Sequence, residues 1–202
     1  MSLGQIAVAV ETSDGLVGYG VGGGGAAGGH VIDAVLAPLL VGRESEPVEV
    51  IWEEMYAATL PFGRKGIAVM ALSGVDLALW DLRAKREGRS VAELLGGGTG
   101  RTMPTYATVW NEVGTETAAG TQAVKLHVIP EDRSQLVEEV VASVAAAREV
   151  LGPDRELMID AWMEWDVEST LSIARRIEEF DIGWVEEPIS ADDLDGYLRL
   201  RD

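Results

Sequence analysis

Two acids stand out because each closes a short apolar run: Asp160 after Leu157-Met158-Ile159, and Glu186, 26 positions later, after Gly183-Trp184-Val185. Runs of this length read as strands, and the stretch between them reads as a helix. Asp166 stands where a helix N-cap belongs, and Val167, Leu171, Ala174, Ile177 and Phe180 recur at the spacing of a helix that covers a sheet. Strand, helix, strand in this order gives two parallel strands whose carboxyl ends share one edge, the ligand-binding edge of β/α folds. Asp160 and Glu186 are therefore expected side by side. Two neighbouring carboxylates repel unless a positive charge lies between them, and hard oxygen donors suit Mg2+. The plainer alternative is that both acids cap the following helices or bind loop amides.

The flanking residues favour the first reading. An Asp closing one strand, Glu186-Glu187-Pro188 closing the next, and Lys125-Leu126-His127 closing the preceding one resemble the enolase superfamily, in its mandelate racemase-like branch. Upstream, Thr59-Leu-Pro-Phe-Gly-Arg-Lys-Gly66 and Leu72-Ser-Gly-Val-Asp-Leu-Ala-Leu-Trp-Asp-Leu82 are similar to the helical part of that family's capping domain, most of all in its acid-sugar (rhamnonate-type) dehydratases. From about Gln5 to the end the motifs follow the family's order. The resemblance implies an α/β protein with an N-terminal α+β capping domain, residues 1–100, followed by the first half of a (β/α) TIM-type barrel, residues 101–202.

The chemistry implied is Mg2+-dependent dehydration of a sugar acid. A proton is removed from the carbon next to the carboxylate, and water is lost from an aldonate to leave a 2-keto-3-deoxy acid. Asp160 and Glu186 match the first two of the family's three carboxylate metal ligands, and Lys125 and His127 match its catalytic positions. Residues two apart on a strand point the same way. A lysine near a metal and other cations is expected to have its pKa lowered toward neutrality, and histidine needs little adjustment to act at pH 7. The family commonly shows Lys-x-Lys here, so His127 is a departure, and which of the two contacts substrate is open. Glu187 is expected behind the ligands, its side chain on the opposite face of the strand from Glu186. Trp162, Met163, Glu164 and Trp165 either line the pocket or, in the case of the two tryptophans, pack the barrel rim. His30 lies in the capping segment and reads as structural or exposed. Racemases and cycloisomerases of the same superfamily share the metal and the proton abstraction and form the alternative reading; a non-catalytic fragment or assembly subunit is the alternative from another class.

Composition bounds the partners. The net charge of −18 argues against nucleic acid, which needs clustered Lys and Arg, so the expected partner is a small carboxylate substrate. Only Lys65, Lys85 and Lys125 are lysines; with 34 Asp plus Glu, this hints at adaptation to a high-salt cytoplasm, although GC-rich coding explains the arginine bias equally well. No apolar run approaches the roughly 18 residues of a membrane span, and Met1 to Gln5 lacks the basic and apolar stretches of a signal peptide, so a cytoplasmic location with no membrane partner is expected. Cysteine is absent, which excludes disulfides, thiolate metal sites and a cysteine nucleophile. Homo-oligomers are usual in the family.

The elements that must position these residues follow from pattern. Ile6–Thr12 and Leu16–Gly20 read as a hairpin turning at Asp14-Gly15, and the glycine run from Val21 to Gly29 reads as a structural or mobile connector, since it lacks the ending of a phosphate loop. Short helices are expected from His30 to Leu40 and Val48 to Ala58, and a long one from about Gly66 to Arg86 with Ala68, Ala71, Leu72, Val75, Leu79 and Leu82 on one side. Asp76 and Asp81 on that helix read as loop ties. Gly96 to Gly100 marks the domain boundary, before strands at 102–109, 123–128, 157–160 and 183–186 and a helix from about Ser134 to Leu151. A closed β/α barrel needs eight strands and roughly 250 residues, whereas this part holds four strands. The family's third metal-binding acid and its later histidine–aspartate pair fall beyond Asp202. Val128 follows Trp110 by only 18 positions, too few for the family's helix between the first two strands. The chain is therefore expected to be an abridged form of a longer polypeptide.

Overall fold

A computed structural model describes residues 4–43, 47–98, 100 and 102–201. The chain divides into two compact units, Met1–Arg101 and Thr102–Asp202. Thr99 and Arg101, at the expected domain boundary, lie outside the described residues, as do Met1 to Leu3 and Asp202. Among the described residues no helix is long and apolar enough to cross a membrane.

In the first unit, β1 (Gln5–Glu11) pairs antiparallel with β2 (Val17–Gly23). The turn is closed by the Thr12 N–H donating to the Leu16 carbonyl at 3.0 Å, with Gly15 at φ 82, a conformation glycine adopts freely. Then come α1 (Gly25–Val31), a π-helical turn (Ile32–Leu36), α2 (Ala37–Leu40), α3 (Val48–Thr59), α4 (Ile67–Glu87) and α5 (Val91–Leu94). Leu36, Ile51, Met55, Ala71, Leu72, Val75 and Leu79 form the core between these helices and the hairpin. A capping box between Ser90 and Glu93 starts α5.

The glycine run differs from the expected connector. Val21, Gly22 and Gly23 belong to β2, and the first helix begins at Gly25 rather than His30. Gly18, Gly20 and Gly22 alternate on the buried face of β2, and a Cβ on Gly18 or Gly20 would run into the carbonyls of Ala78 and Gly74 on α4. Their lack of side chains lets helix and strand backbones touch, and this packing outweighs the poor intrinsic propensity of glycine for either element. Asp81 ties the two together, accepting from the Tyr19 N–H and from Lys85 Nζ, both at 2.7 Å.

The second unit alternates β3 (Ala107–Trp110), α6 (Thr115–Gly120), β4 (Ala123–His127), α7 (Leu136–Leu151), β5 (Glu156–Asp160), α8 (Val167–Ile177), β6 (Ile182–Glu186) and α9 (Leu194–Arg201). The strands form one parallel sheet in the order β3-β4-β5-β6. Val124, Leu126, Leu157 and Ile159 on one face pack against Val140, Val144 and Leu151 of α7 and Ile173 and Ile177 of α8. Burying such side chains contributes about 1.5–3 kcal/mol each. Arg148 closes the amino-terminal end of this layer, donating to the carbonyls of Phe180 (2.9 Å), Gly152 (2.9 Å), Arg155 (2.6 Å) and Asp181 (3.1 Å).

Three expectations are corrected here. β3 starts at Ala107, not 102; Pro104 has no N–H to give a ladder, and Met103 is exposed. The interval between β3 and β4 holds the short helix α6, because six residues suffice for it. On α8 the buried residues are Val167, Thr170, Ile173 and Ile177, and Ala174 is exposed. Phe180 is the last residue of a 3-10 turn, Glu178–Phe180, so its position does not report the phase of the α-helix.

Candidate functional site

Register alone assembles a row of side chains at the carboxyl ends of the four strands. Trp110 pairs with His127, His127 with Asp160, and Asp160 with Glu186. All lie on the face opposite the helices, because Val109, Leu126, Ile159 and Val185, each one residue earlier, face the apolar core. Two residues of β6, Gly183 and Trp184, oppose the single Met158 of β5, and this bulge lets both Ile182 and Val185 reach the core while Glu186 stays in the row.

Lys125 lies one step back on β4 and fills the space between the acids. Its Nζ is 3.0 Å from Asp160 Oδ2 and 2.7 Å from Glu186 Oε2, and the residue is 8% exposed. The lowered lysine pKa is expected beside a metal and other cations; with the two acids alone as charged neighbours the direction is upward. The hydrogen bond to Glu186, then those and the charges of Asp160, raise it well above the ordinary value and outweigh burial, which acts the other way. Burial also pushes Asp160 up, but the Lys125 hydrogen bond and the Trp162 N–H, 3.1 Å from Oδ1, more than offset it and leave the carboxyl lowered.

His127 is 4% exposed, with Nδ1 3.6 Å from Asp160 Oδ1 and, among the described residues, no hydrogen-bond partner for that nitrogen. Its ring lies against Trp110, centroids 4.2 Å apart, and meets Trp162 edge-on at 5.3 Å. Trp162 and Met163 hold left-handed backbone angles, φ 46 and 59, in the loop after β5, and the Met163 N–H donates to the Glu187 carbonyl at 2.6 Å. That hydrogen bond carries the β5–β6 pairing past the strand ends and turns Trp162 over the row. Glu187 itself has φ 44 and an exposed side chain, outside the cluster. Trp165 is buried in the core, and Glu164 pairs with Arg133 on the outer side of the loops. His30 is exposed on α1.

Two aromatic members of the site escape a reading of motifs. Trp110 ends β3, and Tyr106 places its ring 5.7 Å from Lys125 Nζ and edge-on to Trp184. Strand parity was the available signal, since Thr108 and Trp110 share the face of Lys125 and His127. A separate cavity of about 150 Å³ between the loops after β4 and β5 is lined by Pro130, Arg133 and Asp166 among others and contains none of the row.

The donor set suits a hard divalent cation as far as it goes: two carboxylates from adjacent strands already converge on one positive charge. Among the described residues no group of three or more His, Asp or Glu gathers to hold a metal, so these two would supply only part of a coordination shell.

Comparison with known proteins agrees with this architecture. The family model for the mandelate racemase / muconate lactonizing enzyme N-terminal domain matches residues 4–96, and that for the enolase C-terminal domain-like family matches 111–202. L-Rhamnonate dehydratase of Saccharopolyspora erythraea is 38% identical over 200 residues, covering 98% of this chain and 51% of that protein. Among solved structures, the 3,6-anhydro-D-galactonate cycloisomerase of Zobellia galactanivorans superposes with a TM-score of 0.86 at 36% identity, covering 96% of this chain and 56% of that one. A racemase of Streptomyces coelicolor with bound magnesium gives 0.82 at 37%, covering 97% and 57%. The chain thus spans about half the length of the relatives it matches. With both domain models matched in order along one chain, and a parallel sheet that brings its acids to a common edge, the protein belongs to the mandelate racemase and muconate lactonizing enzyme branch of the enolase superfamily.

Proposed function

We propose that this chain carries part of the active site of a Mg2+-dependent dehydratase that converts a sugar acid to a 2-keto-3-deoxy acid. The observation that carries the reading is the convergence of Asp160, Glu186 and Lys125, with His127 beside them, at the carboxyl ends of β4 to β6. Asp160 and Glu186 would hold the metal, which when bound supplies positive charge to the substrate carboxylate as the α-carbon loses its proton. Lys125 serves as a base only when its two acidic partners are otherwise neutralised, since in their company its proton is held tightly. His127 offers a second proton-transfer group, its Nδ1 not committed to a hydrogen bond among the described residues. Trp162 walls one side of the cluster, and its N–H orients Asp160. Glu187 contributes through its backbone, fixing the loop that carries Trp162.

The similarity to a rhamnonate dehydratase supports a polyhydroxylated acid as substrate. Incubating the intact protein with Mg2+ and a panel of aldonates, with colorimetric detection of 2-keto acids, tests this; keto acid from at least one member is expected, and none from any would refute dehydration. The similarity to a cycloisomerase and a racemase at comparable identity favours a second reading, in which the same proton is removed but no hydroxyl leaves. Under it, the α-proton exchanges with solvent deuterium without keto-acid formation.

A further inference from the structure

We propose that Trp110 is a positioning residue that fixes the His127 imidazole for proton transfer, a role that rests on the function proposed for His127 above. A functional imidazole is ordinarily oriented by a hydrogen bond at one ring nitrogen. Among the described residues His127 Nδ1 is buried without one, and Asp160 Oδ1 lies at 3.6 Å, beyond hydrogen-bond reach. What holds the ring is contact with indoles: Trp110 at 4.2 Å and 58° between planes, and Trp162 at 5.3 Å and 77°, the two indoles themselves 5.9 Å apart. Aromatic rings at such distances and tilts attract one another beyond the burial of their surfaces.

Trp110 is itself held in register. It pairs with His127 across β3 and β4, and Asn111, at φ 60, ties the strand ends together twice. The Asn111 N–H donates to the His127 carbonyl at 2.8 Å, and Asn111 Oδ1 accepts from the Ile129 N–H at 2.8 Å. Backbone and ring of His127 are therefore fixed by consecutive residues of the neighbouring strand.

The test compares Trp110→Ala and Trp110→Phe in the intact protein labelled with 15N-histidine. Misplacement of a catalytic group by about 1 Å costs roughly 100-fold in rate. Trp110→Ala should lower kcat on that scale with KM little changed and should move the His127 ring-nitrogen resonances, while Trp110→Phe should restore most of both. Unchanged kcat in the Ala variant, or equal loss in both variants with His127 resonances identical to wild type, would overturn the proposal. If no sugar acid is turned over, the functional reading fails separately and the resonances still decide: displacement in Ala with recovery in Phe supports positioning, and identity across all three proteins refutes it.

Discussion

Asp160 and Glu186 are direct partners in the β5–β6 register, and a single lysine ammonium bridges both, leaving one negative charge uncompensated. Under the function proposed above, Lys125 occupies the place where a divalent cation would be attracted, and a metal would compete with the lysine for the same two carboxylates.

Replacing Lys125 by Met should therefore destabilise the metal-free protein by about 3 kcal/mol, the low end for breaking a buried ion pair because the Glu186 side chain is 39% exposed. Mg2+ should raise the urea midpoint of Lys125→Met more than that of wild type, since nothing then competes with it. Equal Mg2+ effects on both proteins would show that the metal does not use these acids.

Arg148 donates four hydrogen bonds to backbone carbonyls at the base of the second unit. Hydrogen bonds from charged groups contribute about 1.5–3 kcal/mol each and are not additive, so Arg148→Met should cost about 3 kcal/mol in all. Thermal unfolding should show a drop of several degrees, and a shift within error would mean the carbonyls find water as readily.

A side chain at Gly20 has nowhere to go on α4. Gly20→Val should cost at least about 1–3 kcal/mol from overpacking, whereas Val21→Ala on the exposed face should stay within about 0.5 kcal/mol. Denaturant midpoints of the two variants check this directly.

Asp166 caps α8 by accepting from the Ser169 N–H at 2.7 Å. That backbone hydrogen bond, with help from the Ser169 side chain, holds its carboxyl below the ordinary 3.8. With the folded value lower than the unfolded one, the ionised cap stabilises the fold fully above pH 3.8, and this contribution is lost as the pH falls through the folded value. Asp166→Ala should cost about 1 kcal/mol at pH 7 and progressively less in acid, read from urea unfolding across that range.

The legible parts of the molecule were those set by local period. Apolar runs ending in Asp160 and Glu186 are strands whatever surrounds them, and residues two apart, such as Lys125 and His127, must share a face. What escaped depends on contacts between distant segments. Gly22 and Gly23 of β2 read as part of a connector because nothing in their composition shows that α4 will lie against them. The pKa direction of Lys125 depends on which charges the fold gathers around it, and here two acids outweigh burial. Trp110 lies past the expected end of its strand, and an aromatic residue carries no chemistry of its own to mark it.

The most direct test of the central claim is exchange of the substrate α-proton, followed by NMR in D2O with Mg2+ and a panel of sugar acids, for the intact protein and its Asp160→Asn variant. The account predicts exchange or dehydration in wild type, abolition by a chelator, and a loss of at least about 100-fold in Asp160→Asn. Full activity in Asp160→Asn, or wild-type activity that survives the chelator, would contradict it.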